Sequence, residues 1–326
     1  MSPNLPLKIK RWIRFVLSLS PLIGIVEKPT HKENGISVFM RVKNEEDWIK
    51  HSILSISDFA DEIIIGDNGS NDRSVEIVKD LIDNDQKINL YECPHMKIDE
   101  LTNFLLKKAS YRWVMKWDAD FVARTTGEYS ISTLREKLLN MNRNRYYLIE
   151  LSHICLSGDL YHQNPNELTH KEEYIYTNSD HLTFVHPGTC ESLKSPKYYT
   201  VIKLAGYYSF HIDVKSADRM LARKYWFDWM QLKDYGKYPS LDSYVEYRVG
   251  NEFRSGTVQE AKVHFVISAC KRLVPYDSKR FGEYPEILKK EINNPKYRII
   301  YKDAQIIGRN DIVDNKENLS FAYDSQ

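Results

Sequence analysis

Two aspartates, two residues apart, directly follow an apolar segment that runs from Trp113 to Trp117. In an extended chain, residues two apart point to the same face, so Asp118 and Asp120 can act together. Carboxylate oxygens bind hard cations such as Mg²⁺ and Mn²⁺, which also accept phosphate oxygens. The pair is therefore a candidate for holding a metal-diphosphate, and a solvated turn with two acids is the alternative.

A second polar cluster, Asp67 to Asp72, follows the apolar run Ile63 to Ile65. Gly69 permits a sharp turn there, and Asn and Asp side chains tolerate left-handed backbone angles. Asp67 stands where the apolar run ends, so its carboxylate can accept hydrogen bonds from a base or ribose. The alternative is that this segment only connects a strand to a helix, with a polar cap on the helix.

The elements that position these clusters alternate between two hydrophobic periods. Strands are predicted at Ile36–Val42, Glu62–Gly66, Ile88–Tyr91 and Trp113–Trp117, and helices at Glu45–Ser57, Ser74–Ile82 and Leu101–Ala109. This alternation predicts a parallel sheet covered by helices on both faces. Ligands of such sheets bind outside the carboxyl ends of the strands, where the polar clusters would converge.

The segments Ile36–Glu46, Glu62–Asp72 and Trp113–Asp120 resemble the N-terminal half of family-2 glycosyltransferases in order and spacing. In that family a strand ends in Asn-Glu, a second ends in Asp-x-Gly-Ser-x-Asp, and an Asp-x-Asp triplet follows. The resemblance implies a GT-A fold, a nucleotide-diphosphate sugar donor, Mn²⁺ or Mg²⁺ as cofactor and, usually, inversion at the anomeric carbon. The predicted fold class is accordingly α/β, a Rossmann-like, mostly parallel sheet, with a helical C-terminal region.

The resemblance also implies roles for single residues. The expected donor-binding residues at the strand ends are Arg41, Asn44, Glu45, Asp67, Asn68 and Asp118. Asp67 resembles the carboxylate that contacts the nucleoside, Asp118 the residue near ribose and diphosphate, and Asp120 the direct metal ligand. Arg41-Val42-Lys43 departs from the smaller residues of many members, which leaves the nucleobase preference open.

An inverting transfer needs a general base for the acceptor hydroxyl, usually Asp or Glu. The segment Phe184–Leu193 resembles the family's acceptor-side strand and loop, and it makes Glu191 the first candidate, ahead of Asp180 and Asp159. A third metal ligand is expected from a later histidine. His211 is the first choice and His186 its competitor, and a histidine satisfied by backbone groups is the alternative.

Lys215, Arg219 and Arg223 share one face of a predicted helix. Lys215 is a candidate for the donor phosphates. The face could also meet an anionic acceptor or membrane, or could simply be solvated.

Composition excludes some classes. Lys and Arg total 46 against 45 Asp and Glu, so the basic excess of a nucleic-acid binder is absent. The four cysteines, Cys93, Cys155, Cys190 and Cys270, show no zinc or disulfide-scaffold spacing. Thiols kept reduced in the cytoplasm are the simplest account.

The N-terminal segment, residues 1–30, places Lys8, Lys10, Arg11 and Arg14 before an apolar run from Phe15 to Val26. The run is too short to span a bilayer. It predicts either a peripheral contact with the inner face of the membrane or a helix packed on the protein's own core. The GT-A domain is expected over residues 31–215 and the helical region over 216–326.

The preferred function is transfer of a sugar from a nucleotide-diphosphate donor to a saccharide or lipid-linked acceptor. A nucleotidyltransferase would need a glycine-rich basic loop after the first strand, where this chain has Arg-Val-Lys-Asn-Glu-Glu. A glycosyltransferase-like scaffold without catalysis is the non-enzyme alternative, and retention of both Asp118 and Asp120 argues against it.

Overall fold

A computed structural model describes residues 6–186, 191–232, 237–252 and 257–312. The turn at residues 187–190 of the predicted acceptor segment, with Cys190, lies outside the described residues, as does the polar tail beyond residue 312.

The chain divides into two compact units. Unit 1 contains Met1–Ile154, Thr169–His211 and Tyr284–Ile287, and unit 2 contains Cys155–Leu168, Ile212–Glu283 and Leu288–Gln326. The predicted ranges were contiguous, whereas unit 2 also takes Cys155–Leu168. Those residues belong there because the carboxylate of Asp159 accepts a hydrogen bond from the backbone N–H of Ile299 at 2.8 Å.

The first part of the chain alternates strands and helices as predicted. Its elements are α1 (Leu7–Ser18), β1 (Ile36–Val42), α2 (Ile49–Ser55), β2 (Glu62–Asp67), α3 (Ser74–Ile82), β3 (Ile88–Glu92), α4 (Ile98–Lys108), β4 (Trp113–Lys116), β5 (Phe121–Ala123) and α5 (Ile131–Leu139). The four strands and three helices predicted between Ile36 and Trp117 are confirmed, with ends shifted by a few residues.

The later elements are more irregular. They are β6 (Tyr147–Ser157), β7 (His162–Gln163), β8 (Thr169–Thr177), β9 (Thr183–Val185), β10 (Ser192–Lys194), β11 (Thr200–Asp213), α6 (Ala217–Leu232), α7 (Leu241–Glu252), α8 (Val258–Cys270), β12 (Val274–Pro275), α9 (Ser278–Phe281), a 3₁₀ helix (Glu286–Leu288), α10 (Lys289–Asn293), β13 (Ile299–Lys302) and β14 (Gln305–Arg309). Strand β11 is one continuous strand of 14 residues.

The central sheet has the order β3-β2-β1-β4-β8-β6-β11-β5. Strands β3, β2, β1 and β4 are parallel, whereas β8 pairs antiparallel with β4 and β6, and β5 antiparallel with β11. The α/β fold class is confirmed, with a mixed sheet whose parallel part is the predicted segment.

Successive side chains of β1 point to opposite faces of the sheet, and both faces are buried. Val38 and Met40 pack with Ile49 and Ile53 of α2 in one cluster. Phe39 points to the other face, where it joins a cluster that includes Leu101 and Leu105 of α4. Full burial of such side chains contributes about 1.5–3 kcal/mol each, which fixes the register of the strands that carry the polar clusters.

Unit 2 combines helices α6, α7 and α8 with the antiparallel hairpin β13–β14. Helix α8 begins with a capping box, in which the side chains of Thr257 and Glu260 satisfy each other's backbone N–H groups. Arg309 is fully buried and donates hydrogen bonds to the carbonyls of Gly158 and Lys215, each at 2.8 Å. This guanidinium therefore ties three segments of unit 2 together.

Strand β11 makes a close approach at Gly206. Its φ of +91° lies in the left-handed region that disfavours side chains, and an added Cβ would come 2.1 Å from ring atoms of Tyr129. Gly127 has a similar φ of +83°, but an added Cβ there would have no heavy atom within 4 Å. A comparison of substitutions at these two glycines therefore distinguishes the effect of backbone strain from that of steric crowding.

Substituting Gly206→Ala should therefore destabilise the protein more than Gly127→Ala. Backbone strain costs each variant about 1–2 kcal/mol, and crowding against Tyr129 adds about 1–3 kcal/mol in Gly206→Ala alone. Urea unfolding of both variants measures the difference. Equal midpoints for the two would show that β11 does not approach Tyr129 in this way.

Candidate functional site

The carboxyl ends of β2, β1 and β4 lie side by side, because these strands are adjacent and parallel. The register pairs Val42 with Asp67, and Phe39 with Lys116. The polar segments that follow the three strands are 43–46, 68–73 and 117–120. The structure thus brings the three predicted clusters to one edge of the sheet.

Hydrogen bonds join the first two of these segments. The backbone N–H of Asn44 donates to Ser70 Oγ at 2.9 Å, and the N–H of Asn71 donates to Asn44 Oδ1 at 2.8 Å. The N–H of Glu45 donates to Ser74 Oγ at 2.8 Å. Asn44 has a φ of +56°, a left-handed conformation that this network holds in place. The Asn-Glu pair therefore shapes the edge largely through its backbone.

Asp67 is buried, and its carboxylate closes the following turn. Oδ2 accepts hydrogen bonds from the N–H groups of Gly69 at 2.9 Å and Ser70 at 3.0 Å. The Asn68 amide donates to the Met96 carbonyl at 3.0 Å. Each carboxylate oxygen has two acceptor positions, so Asp67 keeps capacity for a ligand beyond the turn.

The Asp-Ala-Asp triplet departs from the extended geometry expected for it. The chain turns at Ala119 and Asp120, and the N–H of Phe121 donates to the Asp118 carbonyl at 2.9 Å. Ser52 Oγ donates to the same carbonyl at 3.3 Å. Asp118 is consequently half-buried, whereas Asp120 is buried at the start of β5. The turn gives the two carboxylates different surroundings.

His211 lies beside Asp120. Antiparallel pairing of β11 with β5 places His211 opposite Phe121, and its Nε2 is 3.4 Å from Asp120 Oδ2. The imidazole also makes an edge contact with the Phe121 ring, at 5.0 Å between centroids. Two residues 91 positions apart, both predicted as metal ligands, are neighbours.

The donor atoms of Asp120 and His211 fit a hard divalent cation. Adjacent ligands of an octahedral Mg²⁺ lie about 3 Å apart, close to the separation seen here. Within the described parts of the chain, no group of three or more His, Cys, Asp or Glu side chains could hold a metal. Mg²⁺ commonly uses one or two carboxylates and completes its shell with water and substrate phosphates, so two protein ligands suffice.

Glu191 is held among cations. Its Oε1 lies 3.3 Å from Arg41 Nη1 and accepts a hydrogen bond from Thr102 Oγ1 at 2.5 Å, and its Oε2 lies 3.4 Å from Lys116 Nζ. Only 6% of its side chain is exposed. Two predicted residues, Arg41 and Glu191, thus form one ion-paired group at the sheet edge.

The sequence interpretation missed Lys116 and Thr102, which hold this carboxylate. Lys116 lies two residues before Asp118, and a lysine inside a buried strand is the signal that could have identified it. Thr102 lies within helix α4 and carries no such signal.

A second group that the sequence did not predict surrounds Tyr174. The pairing of β6 with β8 shifts register between Ile149 and Glu150, and this shift leaves Tyr174 outside the paired positions. Burial, followed by the charges of Asp118 and Glu172, raises the pKa of Tyr174 far above its usual range, so the phenol stays protonated. Burial opposes ionisation of Glu172, but hydrogen bonds from His170 and Tyr174 and the charge of Lys116 leave its pKa below the usual value. Irregularities of this kind in a β-sheet change the direction of a side chain, and they are common next to active sites.

His153 is fully buried against Phe121 and Tyr174, with ring centroids 4.3 and 4.5 Å away. Burial, together with the neighbouring His211 and His170, holds the pKa of His153 well below its usual range. The neutral ring forms part of the wall behind Asp120 and His211.

The other site residues proposed from the sequence are Lys215, Asp159, Asp180 and His186. Lys215 belongs to unit 2, where it is buried and its carbonyl accepts a hydrogen bond from Arg309. Asp159 is also in unit 2, and its Oδ1 lies 2.6 Å from His162 Nδ1. Asp180 is exposed and His186 half-buried.

Comparison with known proteins agrees with the sequence resemblance. Residues 37–180 match the family model described as glycosyl transferase family 2. An uncharacterized glycosyltransferase of Haemophilus influenzae is 30% identical over 121 residues, which cover 36% of this chain and 48% of the relative. The chain thus spans about half the length of the relative that it matches.

Two solved structures resemble this chain at lower sequence identity. TarS 1–349 of S. aureus in complex with UDP-GlcNAc is 15% identical, with a TM-score of 0.39 over 73% of this chain and 72% of the 1–349 chain. The mannosyltransferase PcManGT of Pyrobaculum calidifontis, in complex with GDP-Man and Mn²⁺, is 13% identical, with a TM-score of 0.35 over 80% of this chain and 87% of its own.

The matched residues, 37–180, contain β1, β2, β4 and the Asp-Ala-Asp triplet, which are the elements on which the resemblance was drawn. The resemblance of this chain to the family-2 glycosyltransferases is thereby confirmed.

Proposed function

We propose that this protein is a metal-dependent glycosyltransferase, which moves a sugar from a nucleotide-diphosphate donor to a saccharide or lipid-linked acceptor with inversion. The observation that carries the proposal is that Asp67 ends β2, that Asp118 and Asp120 follow β4, and that His211 of β11 lies beside Asp120. Family membership of the matched residues supports the donor class.

In this proposal the segments 43–46 and 68–73 form the nucleoside side of the donor site. Asp67 and Asn68 would face the base and ribose, and Asn44 and Glu45 would shape the loop around them through the hydrogen bonds to Ser70 and Ser74. Arg41 would lie near the phosphates, with Glu191 fixing its guanidinium. Lys215 stays a prediction for the phosphates.

Asp120 and His211 would hold Mn²⁺ or Mg²⁺, and Asp118 would lie beside the ribose and diphosphate. The bound cation would neutralise charge on the departing diphosphate. The protein's own contribution is to fix the two ligands: the β5–β11 pairing sets their separation, and the buried rings of Phe121 and His153 back them.

Glu191 stays the predicted general base. Its carboxylate oxygens lie 3.3 Å from Arg41 Nη1 and 3.4 Å from Lys116 Nζ. To reach an acceptor hydroxyl, the carboxylate would have to use an acceptor position that these contacts leave open.

We also propose that α1 rests on an anionic membrane surface. Six of the eleven exposed large apolar side chains in the described chain lie between residues 9 and 25, including Trp12, 66% exposed, and Phe15, 58% exposed. Lys8 and Arg14 are exposed beside them. An apolar face with cations along its border is typical of helices in the bilayer interface. Among the described residues, no helix is long and apolar enough to cross a membrane.

Replacing Asp120 by Asn should remove metal-dependent binding of nucleoside diphosphates. The amide keeps the size of the side chain but lacks the charge that a hard cation requires. We expect UDP or GDP affinity in Mn²⁺, measured by calorimetry, to fall at least tenfold to the metal-free level. Asp80→Asn, an exposed acid on α3, is the matched control. Wild-type affinity and turnover in Asp120→Asn would contradict the metal assignment.

Replacing Glu191 by Gln should reduce the turnover of transfer about a hundredfold or more, because the amide cannot accept the acceptor's proton. Donor affinity should change little. Glu62→Gln, at the amino end of β2, removes a carboxylate bonded to Ser37 and Ser110 and serves as the control, with unchanged turnover expected. A joint loss of donor affinity and turnover would instead identify Glu191 as the group that positions Arg41 and Lys116.

The double substitution Trp12→Ser and Phe15→Ser should weaken sedimentation with vesicles of anionic phospholipid several-fold, because it removes apolar area from the exposed face of α1. Deletion is a poorer test, since Val26 packs on the core and the Glu27 carbonyl accepts a hydrogen bond from Tyr146. Leu54→Ser changes an exposed apolar residue elsewhere, 43% exposed, and should have no effect. Unchanged sedimentation of the double variant would refute the membrane contact.

A further inference from the structure

Unit 2 contains a cavity of about 310 Å³ that the donor-site account does not use. Its wall combines side chains from the segment after β6, from β11 and from α8 with the turn that follows it. The residues on which the inference rests are Asn164, Asn166, Asp213, Phe265, Arg272 and Leu273.

A glycine brings two walls of this cavity close together. Gly158 has a φ of +80°, and an added Cβ would lie 2.5 Å from the Leu273 side chain and 3.2 Å from that of Ile299. The backbone of the β6 segment can therefore approach the end of α8 only without a side chain at this position. This close approach closes one side of the cavity with apolar groups.

The polar side chains that line the cavity include two amides, and the full set is Ser157, Asn164, Asn166, Asp213 and Arg272. Asn164 Oδ1 accepts the N–H of Asn166 at 3.1 Å, which closes a turn that presents both amide side chains. Asp213 forms an ion pair with Arg223 at 2.7 Å, so its negative charge is already balanced. Arg272 is exposed at the rim.

The side chains that line the cavity favour one class of small molecule over others. A lipid chain would require a continuously apolar wall. The charged side chains that line the cavity are one carboxylate, Asp213, and one guanidinium, Arg272, so the lining has no excess of cations for a diphosphate. A sugar ring has apolar C–H faces and hydroxyl edges, which match the apolar side chains of Phe265 and Leu273 and the amides of Asn164 and Asn166. Ligand pockets begin at roughly 300 Å³, so the cavity suits a single ring.

We propose that this cavity is a saccharide-binding site of unit 2 that holds one monosaccharide unit. The hydroxyl groups would donate to and accept from the amides of Asn164 and Asn166 and would donate to the Asp213 carboxylate, and the ring would pack on Phe265. The site requires neither nucleotide nor metal, so it can be tested apart from the proposed transfer.

Saturation-transfer NMR and calorimetry with the methyl glycosides of glucose, galactose, mannose and N-acetylglucosamine provide the test, in EDTA and without nucleotide. We expect saturable binding of at least one glycoside by the full chain. Ala269→Phe, which fills the cavity from α8, should weaken it at least tenfold, which corresponds to about 1.4 kcal/mol. Asn166→Ala, on an exposed residue with little risk to folding, should weaken it several-fold.

Two controls isolate the cavity. Asn251→Ala changes an exposed amide outside it, and Asp120→Asn changes the proposed metal site, so both should bind the glycoside like the wild type. The absence of saturable binding for all four glycosides would overturn the proposal, as would binding that both Ala269→Phe and Asn166→Ala leave unchanged. Either result would leave the donor-site proposal standing.

Discussion

The parallel register of β2, β1 and β4 is the constraint on which the proposed donor site depends. It is fixed by alternating burial along β1, with Val38 and Met40 on one face and Phe39 on the other. A slip of one residue would exchange these faces, so the core permits a single register. Because the strands run the same way, three polar segments far apart in sequence end at one edge, and hydrogen bonds from Asn44 and Glu45 then join two of them.

The antiparallel part of the sheet provides the histidine that lies beside Asp120. Strand β11 returns beside the short strand β5 and sets His211 against Asp120. Residue Glu191, just before β10, is bound by groups from β1, α4 and β4, through Arg41, Thr102 and Lys116. The proposed chemistry therefore sits where the two halves of unit 1 meet, with the nucleoside side built from parallel strands and the ligand pair from the antiparallel return.

The sequence predicted the parallel part well, because each strand there is a short apolar run followed by turn residues, and each helix repeats its apolar residues at helical spacing. Through the family resemblance it also gave His211 as a candidate metal ligand, and the structure places this imidazole beside Asp120. The sequence did not predict β8, whose first half, Thr169 to Glu173, is polar and at most half-buried, nor the turn within the Asp-Ala-Asp triplet. Tyr174 was missed because its position arises from the register shift between β6 and β8. Lys116 was marked only by its place in a buried strand, and its contact with Glu191 joins residues that are far apart in sequence.

The central claim is that the sheet edge binds a nucleotide sugar with a divalent cation and activates it for transfer. The most direct measurement is the release of nucleoside diphosphate from a panel of UDP-, GDP- and dTDP-sugars, by the full chain, with Mn²⁺ and with EDTA. The account predicts release from at least one donor in Mn²⁺ and none above background in EDTA. Release from no donor in the panel, or release that is equal in Mn²⁺ and in EDTA, would contradict it.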